Sequence, residues 1–168
     1  GILLASLGNA VGTVNQPRGL AVDTSNNLFI ADTGNNRIQR LSAANTVTPP
    51  VPVGNFTVIA TLGSGLTPAG QVRAPEGVAV DNMGNLYVAD TQNNRTLLFP
   101  GGAAGAATLL STGPASGAGQ VRTAEGITVC QGPVIGGATG TSAVIVGDTQ
   151  NNRIIGSTTP TVLASYVL

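Results

Sequence analysis

Ionisable side chains are few in this 168-residue chain: seven Arg stand against seven Asp plus Glu, with no Lys and no His, for a formal net charge of zero. Three of the carboxylates recur in one hexapeptide, as Asp32-Thr33-Gly34-Asn35-Asn36-Arg37, Asp90-Thr91-Gln92-Asn93-Asn94-Arg95 and Asp148-Thr149-Gln150-Asn151-Asn152-Arg153. An Asp that returns once per unit can offer an oxygen ligand to a shared Ca²⁺, but the Arg five residues later competes for the same carboxylate. The plainer chemistry is a hairpin tip, where Asp and Asn side chains bond nearby backbone N–H groups and tolerate left-handed backbone. Arg37, Arg95 and Arg153 then bridge back across the hairpin. Asp32, Asn36, Arg37, Asp90, Asn94, Arg95, Asp148, Asn152 and Arg153 are therefore expected to be structural turn residues, with no metal and no cofactor.

Catalysis finds little to work with. A Ser or Thr nucleophile needs an activating base, and neither His nor Lys is present to serve. Cys130 is the single cysteine, without a partner for an internal disulfide; it is expected to be a small, partly buried residue where the other units carry Asp23 and Asp81. A carboxylate-only site through Glu76 and Glu125, dividing acid and base roles, is the remaining enzymatic alternative. The expectation is a protein that is not an enzyme.

The elements that position these groups are short. Ahead of each hexapeptide lie two apolar runs, Gly19–Asp23 with Asn27–Asp32, Gly77–Asp81 with Asn85–Asp90, and, more loosely, Gly126–Cys130 with Ala143–Asp148. Such runs, bounded by Gly, Asn and Asp, read as strands. A third strand follows each hexapeptide at Ile38, Thr96 and Ile154, and a fourth spans Val58–Leu62, Thr108–Thr112 and Val162–Tyr166. Four antiparallel strands per unit, repeated, is the plan of a β-propeller blade.

These residues resemble the NHL-repeat β-propellers, whose signature couples a Pro-x-Gly-aliphatic-Ala-Val-Asp strand to a Gly-Asn-Leu-Tyr-Val-Ala-Asp-Thr-x-Asn-Asn-Arg hairpin. Pro17–Arg37 and Pro75–Arg95 match closely, while Ala124–Arg153 matches at its end and departs in the middle. The resemblance implies an all-β fold of NHL-type four-stranded blades. It also implies that the loop leading into each blade rings the channel mouth, where family members commonly bind ligands, and so nominates Arg18, Glu76 and Glu125, with Arg73 and Arg122 nearby. Relatives that are lyases or hydrolases use a His-ligated metal, which this chain has no His to hold.

The blade count does not close a ring. Propellers use roughly four to eight blades, and the sequence supplies three: blade 1 at about 14–63, blade 2 at about 72–113 and blade 3 at about 121–168, all within one segment spanning 1–168. Leu3-Leu-Ala-Ser-Leu-Gly8 parallels Val58–Gly63, so about 1–8 forms an orphan outer strand. An open arc leaves wet faces and unpaired strand edges, so the chain is expected not to stay alone. Two arcs closing a ring, one piece of a longer polypeptide, or a fibre joined by strand exchange would each satisfy it; Gly1 in place of an initiator Met favours a processed or partial chain.

Neutral charge without Lys removes the electrostatic attraction that dominates nucleic-acid binding, and no apolar stretch reaches the roughly 20 residues of a membrane span. The expected partner is protein, either another copy or the remaining blades of a longer chain, with glycan as a further class. A surface of Thr, Ser, Asn, Gly and Ala points to an extracellular or cell-surface setting. Asn55-Phe-Thr57 and Asn94-Arg-Thr96 fit the glycosylation acceptor pattern, and Thr48–Pro52 is expected as a stiff polyproline spacer.

Overall fold

Runs of β-branched and aromatic residues between Asn, Gly and Asp turns are built to pair as antiparallel strands, and they do so in blades. A computed structural model describes residues 5–43, 56–63, 70–105, 107–113, 115–117, 119–130 and 143–158. Blade 1 runs outward through β3 (Leu20–Val22), β4 (Leu28–Asp32), β5 (Arg37–Leu41) and β6 (Phe56–Leu62). Blade 2 repeats the meander with β8 (Gly77–Val80), β9 (Leu86–Asp90), β10 (Arg95–Phe99) and β11 (Thr108–Ser111). Blade 3 comprises β12 (Ala124–Cys130), β13 (Ala143–Asp148) and β14 (Arg153–Thr158). Its expected fourth strand at Val162–Tyr166 lies outside the described residues, as do the Thr48–Pro52 spacer and Asn55.

Two short strands show how blades connect. The loop leading into blade 2 pairs in parallel with the end of the previous outer strand, Thr61 opposite Gln71 and Leu62 opposite Val72 in β7 (Gln71–Val72). The same parallel contact joins β1 (Ser6–Leu7) to β2 (Thr13–Val14), Ser6 opposite Thr13, and recurs as a single bridge between Thr112 and Gln120. β1 thus holds the place of an outer strand belonging to a blade before blade 1. The result is an all-β propeller arc of three blades plus one orphan N-terminal outer strand.

Apolar side chains fill the space between blades. Phe29, Ala31 and Ile38 of blade 1 meet Val78, Leu86, Val88, Leu97 and Phe99 of blade 2 in one buried cluster. Ala79, Tyr87, Ala89 and Leu110 of blade 2 meet Val144, Val146 and Ile155 of blade 3 in the other. At about 1.5–3 kcal/mol per fully buried large apolar side chain, these two interfaces are the main stabilising term.

Burial therefore tracks neighbours rather than residue type. In blade 2, covered on both sides, every residue of β9 is buried. No complete blade precedes blade 1 among the described residues, and Leu20 is 62% exposed while its counterpart Val78 is 6% exposed. Cys130 differs from the partly buried position expected of it: it is exposed, because β12 directs alternate residues to the side of blade 3 that no described blade covers.

Glycine is required where blades approach closely. A Cβ on Gly19 would strike the Glu76 carbonyl oxygen, and one on Gly77 would strike that of Glu125, so the innermost strands of blades 1 and 2 each start against the backbone of the next blade.

Candidate functional site

Each hexapeptide sits at the β-hairpin tip between the second and third strands of its blade, because Asp32 pairs across from Arg37, Asp90 from Arg95 and Asp148 from Arg153. Between them a 3₁₀ turn ends on a left-handed Asn, with φ of 53° at Asn36, 51° at Asn94 and 52° at Asn152. Asn pays less than most residues for that conformation.

The carboxylates are fully buried and fully engaged. The Arg Nε donates to Asp Oδ2 at 2.6 Å in Arg37–Asp32, 2.6 Å in Arg95–Asp90 and 2.7 Å in Arg153–Asp148. The intervening Asn adds a bond to the same carboxylate from Asn35, Asn93 and Asn151, at 2.9 Å to Oδ2 in each. The backbone N–H that each Asp accepts is not from its own turn: Asn15, Arg73 and Arg122 donate to Oδ1 of Asp32, Asp90 and Asp148 at 2.7, 2.6 and 2.6 Å. The carboxylate points into the blade, where the lead-in loop lies. That loop also receives the guanidinium, as Arg37 donates to the carbonyls of Asn9, Ala10 and Thr13 and Arg153 to those of Ser116, Gly117 and Gln120. Burial raises the Asp90 pKa, against the lowering pull of the Arg73 N–H, Asn93 and Arg95.

Two further residues of the hexapeptide reach forward into the next blade, a role the sequence did not reveal. Thr33 Oγ1 donates to the Pro75 carbonyl at 2.6 Å and Thr91 Oγ1 to the Ala124 carbonyl at 2.7 Å. Asn36 Oδ1 accepts the Ala74 N–H at 2.8 Å and Asn94 Oδ1 the Thr123 N–H at 2.9 Å. The invariance of Thr at the second position of all three copies was the available signal. Asn94, one of the two acceptor-pattern residues, is thus committed to a blade contact.

Asp23 and Asp81, noted from sequence only as strand ends, organise the first hairpin of their blades. Asp23 Oδ1 accepts the N–H groups of Ser25 and Asn27, and Asp81 Oδ1 those of Met83 and Asn85. Asp81 Oδ2 also accepts the Tyr87 hydroxyl at 3.0 Å. Desolvation of that hydroxyl, reinforced by the Asp81 charge and hydrogen bond, pushes the Tyr87 pKa far above the ordinary value.

The loop face brings together only some of the nominated residues. Arg18 Nη1 and Glu76 Oε2 form an ion pair at 2.8 Å between the starts of blades 1 and 2, with Arg18 exposed. Glu125 is exposed, as are Arg73 and Arg122. Neither of those two Arg side chains has an ion pair among the described residues, and each contributes its backbone N–H to the buried Asp instead. Among the described residues, no three His, Cys, Asp or Glu side chains gather to hold a metal ion.

The NHL-repeat family model matches residues 14–41 and 73–95, the lead-in loop and first hairpins of two blades. Those two segments are NHL repeats. The third unit, with its long first hairpin and Cys130 for Asp, lies outside both matched segments. Solved structures with a similar fold include the nidogen/laminin complex, at 20% identity over 84% of this chain and 44% of that one, with a TM-score of 0.58. They also include virginiamycin B lyase from Staphylococcus aureus, at 18% identity over 90% and 41%, with a TM-score of 0.58. An auxiliary nutrient binding protein from Bacteroides thetaiotaomicron is similar at 12% identity over 88% and 35%, with a TM-score of 0.61. The chain spans less than half the length of each of these solved chains. At such identities the likeness is one of fold, and that fold carries binding proteins and enzymes alike. No curated protein matches the chain.

Proposed function

We propose that this chain is a noncatalytic scaffold and binding module outside the cell or at its surface, contributing three NHL blades to a larger propeller assembly. The carrying observation is the contrast between Leu20, 62% exposed on the open side of blade 1, and Val78, 6% exposed at the same place in blade 2. A face that is buried wherever a neighbouring blade exists is a face made to be covered. The hexapeptide carboxylates support the noncatalytic reading, since every one is consumed in holding its blade together. The extracellular placement draws on the scarcity of charge, 8% of residues, and on the likeness of fold to the nidogen/laminin complex. The loop face with Arg18, Glu76 and Glu125 is the surface offered to a protein or glycan partner.

Light scattering combined with circular dichroism tests this reading on the intact chain. A β-rich particle heavier than the 16.6 kDa chain is expected, and a well-folded, dispersed monomer would overturn it. A thermal-shift screen of proteins, glycans and cations, repeated with Glu76→Gln and Glu125→Gln, tests the loop face: a loss of binding restricted to those variants is the expected result.

A further inference from the structure

We propose that two copies of this chain dock head to tail at both ends, blade 3 of each onto blade 1 of the other, through the turn contacts that already join blades within the chain. This rests on the assembly reading above and names its partner.

The forward-reaching groups of blade 3 are complete and have no partner among the described residues. Thr33 and Thr91 are buried against the next blade, whereas Thr149 and Asn152 are exposed and have no hydrogen-bond partner for Oγ1 or Oδ1 among the described residues. Asn152 nevertheless holds φ at 52°, the geometry in which Asn36 and Asn94 accept their bonds. Gly126 repeats the pattern: a Cβ there meets nothing within 4 Å, although Gly19 and Gly77 in the same place abut the next blade's backbone.

Blade 1 carries the matching half. Gln16 has φ of 47°, alongside 42° at Ala74 and 53° at Thr123, the two residues whose N–H groups bond Asn36 and Asn94. Gln16 N–H and the Pro17 carbonyl are the counterparts of Ala74 N–H and the Pro75 carbonyl, and both are exposed and unpartnered among the described residues. In the docked pair Thr149 donates to the partner's Pro17 carbonyl, and Asn152 accepts from the partner's Gln16 N–H. Gly126 admits the partner's Arg18 backbone.

Charge selects a second copy over an arbitrary blade. Arg18 occupies the position held by Glu76 and Glu125 in blades 2 and 3, and it pairs with the Glu of the following blade. Head-to-tail docking brings Glu125, which has no ion pair among the described residues, to the partner's Arg18, whereas a blade with Glu in that place would offer no counter-charge, as Glu76 offers none to Glu125 between blades 2 and 3. Two arcs give six blades, within the roughly four-to-eight range of propeller rings.

Sedimentation velocity on the intact chain reads the outcome. The wild type is expected at about twice the 16.6 kDa chain mass. Gly126→Val, which has open space within its own chain, is expected to return it to the single-chain mass with an unchanged circular dichroism spectrum. Thr149→Val with Asn152→Gly should weaken pairing at least tenfold. Glu125→Arg and Arg18→Glu should each weaken it alone, and their equimolar mixture should recover the pair, since both of its interfaces then match in charge. A particle that forms but ignores all these changes would overturn the docking while leaving assembly standing. Open threads would overturn ring closure. A folded monomer would remove the assembly reading itself.

Discussion

Blade 2 and blade 3 carry the identical turn, Asp-Thr-Gln-Asn-Asn-Arg, yet among the described residues only blade 2 engages all of it. Its Asp90, Asn93 and Arg95 lock backward onto the lead-in loop, and its Thr91 and Asn94 lock forward onto blade 3. In blade 3 the backward lock is formed by Asp148, Asn151 and Arg153, while Thr149 and Asn152 face outward. The turn is thus two devices in six residues, one that closes a blade and one that joins it to the next. The first is satisfied within any blade; the second requires company.

The sharpest way to break this distinction is through the backward lock. Arg95→Ala leaves Asp90 buried without its counter-charge and is expected to cost about 3–5 kcal/mol, measured by urea unfolding. Arg153→Ala, whose guanidinium is more exposed, should cost less. Equal losses would mean that burial by a following blade adds nothing to the lock.

Next in size is the forward lock. Thr91→Val strands the buried Ala124 carbonyl and should cost about 1–3 kcal/mol. Thr149→Val should leave the isolated chain within about 0.5 kcal/mol of wild type. A matching loss at Thr149 would show that its hydroxyl already has a partner.

Tyr87 sharpens the view of blade 2 as the doubly covered blade. Tyr87→Phe, which copies Phe29 in blade 1, should cost about 1 kcal/mol at neutral pH through loss of the bond to Asp81. Because the folded-state pKa is raised above the ordinary 10.0, Tyr87 contributes stability that is fully present below pH 10 and declines as pH rises above it. Denaturation series between pH 8 and 11 (roughly the span of tyrosine titration) should show a shallower alkaline decline in the Phe variant. The smallest effect belongs to the loop face: Arg18→Ala removes an exposed ion pair worth about 0–1 kcal/mol, and added salt should erase the difference.

Much of this was legible from residues alone. Leu86-Tyr87-Val88-Ala89 between Asn85 and Asp90 has one ready reading, a short strand ending in a turn, and its recurrence near Phe29 and Ile145 makes that strand a repeat. Arg five residues after Asp announced a bridge across the hairpin, and the register places the two directly opposite. What stayed hidden was contact at a distance. The Asp90 carboxylate bonds an N–H 17 residues earlier, and Thr91 bonds a carbonyl 33 residues later, separations that no local pattern encodes. Cys130 misled for the same reason, since its exposure depends on whether a neighbouring blade lies over β12.

Local chemistry in the chain determined the strands, the turns and the repeat, because alternation, β-branching and left-handed Asn act over a few residues and need no partner. Only the tertiary structure decided which faces are buried, which half of each turn is satisfied and where the arc lies open. Burial belongs to pairs of blades, and a blade's neighbours are set by how strands stack in space rather than by the residues within one repeat.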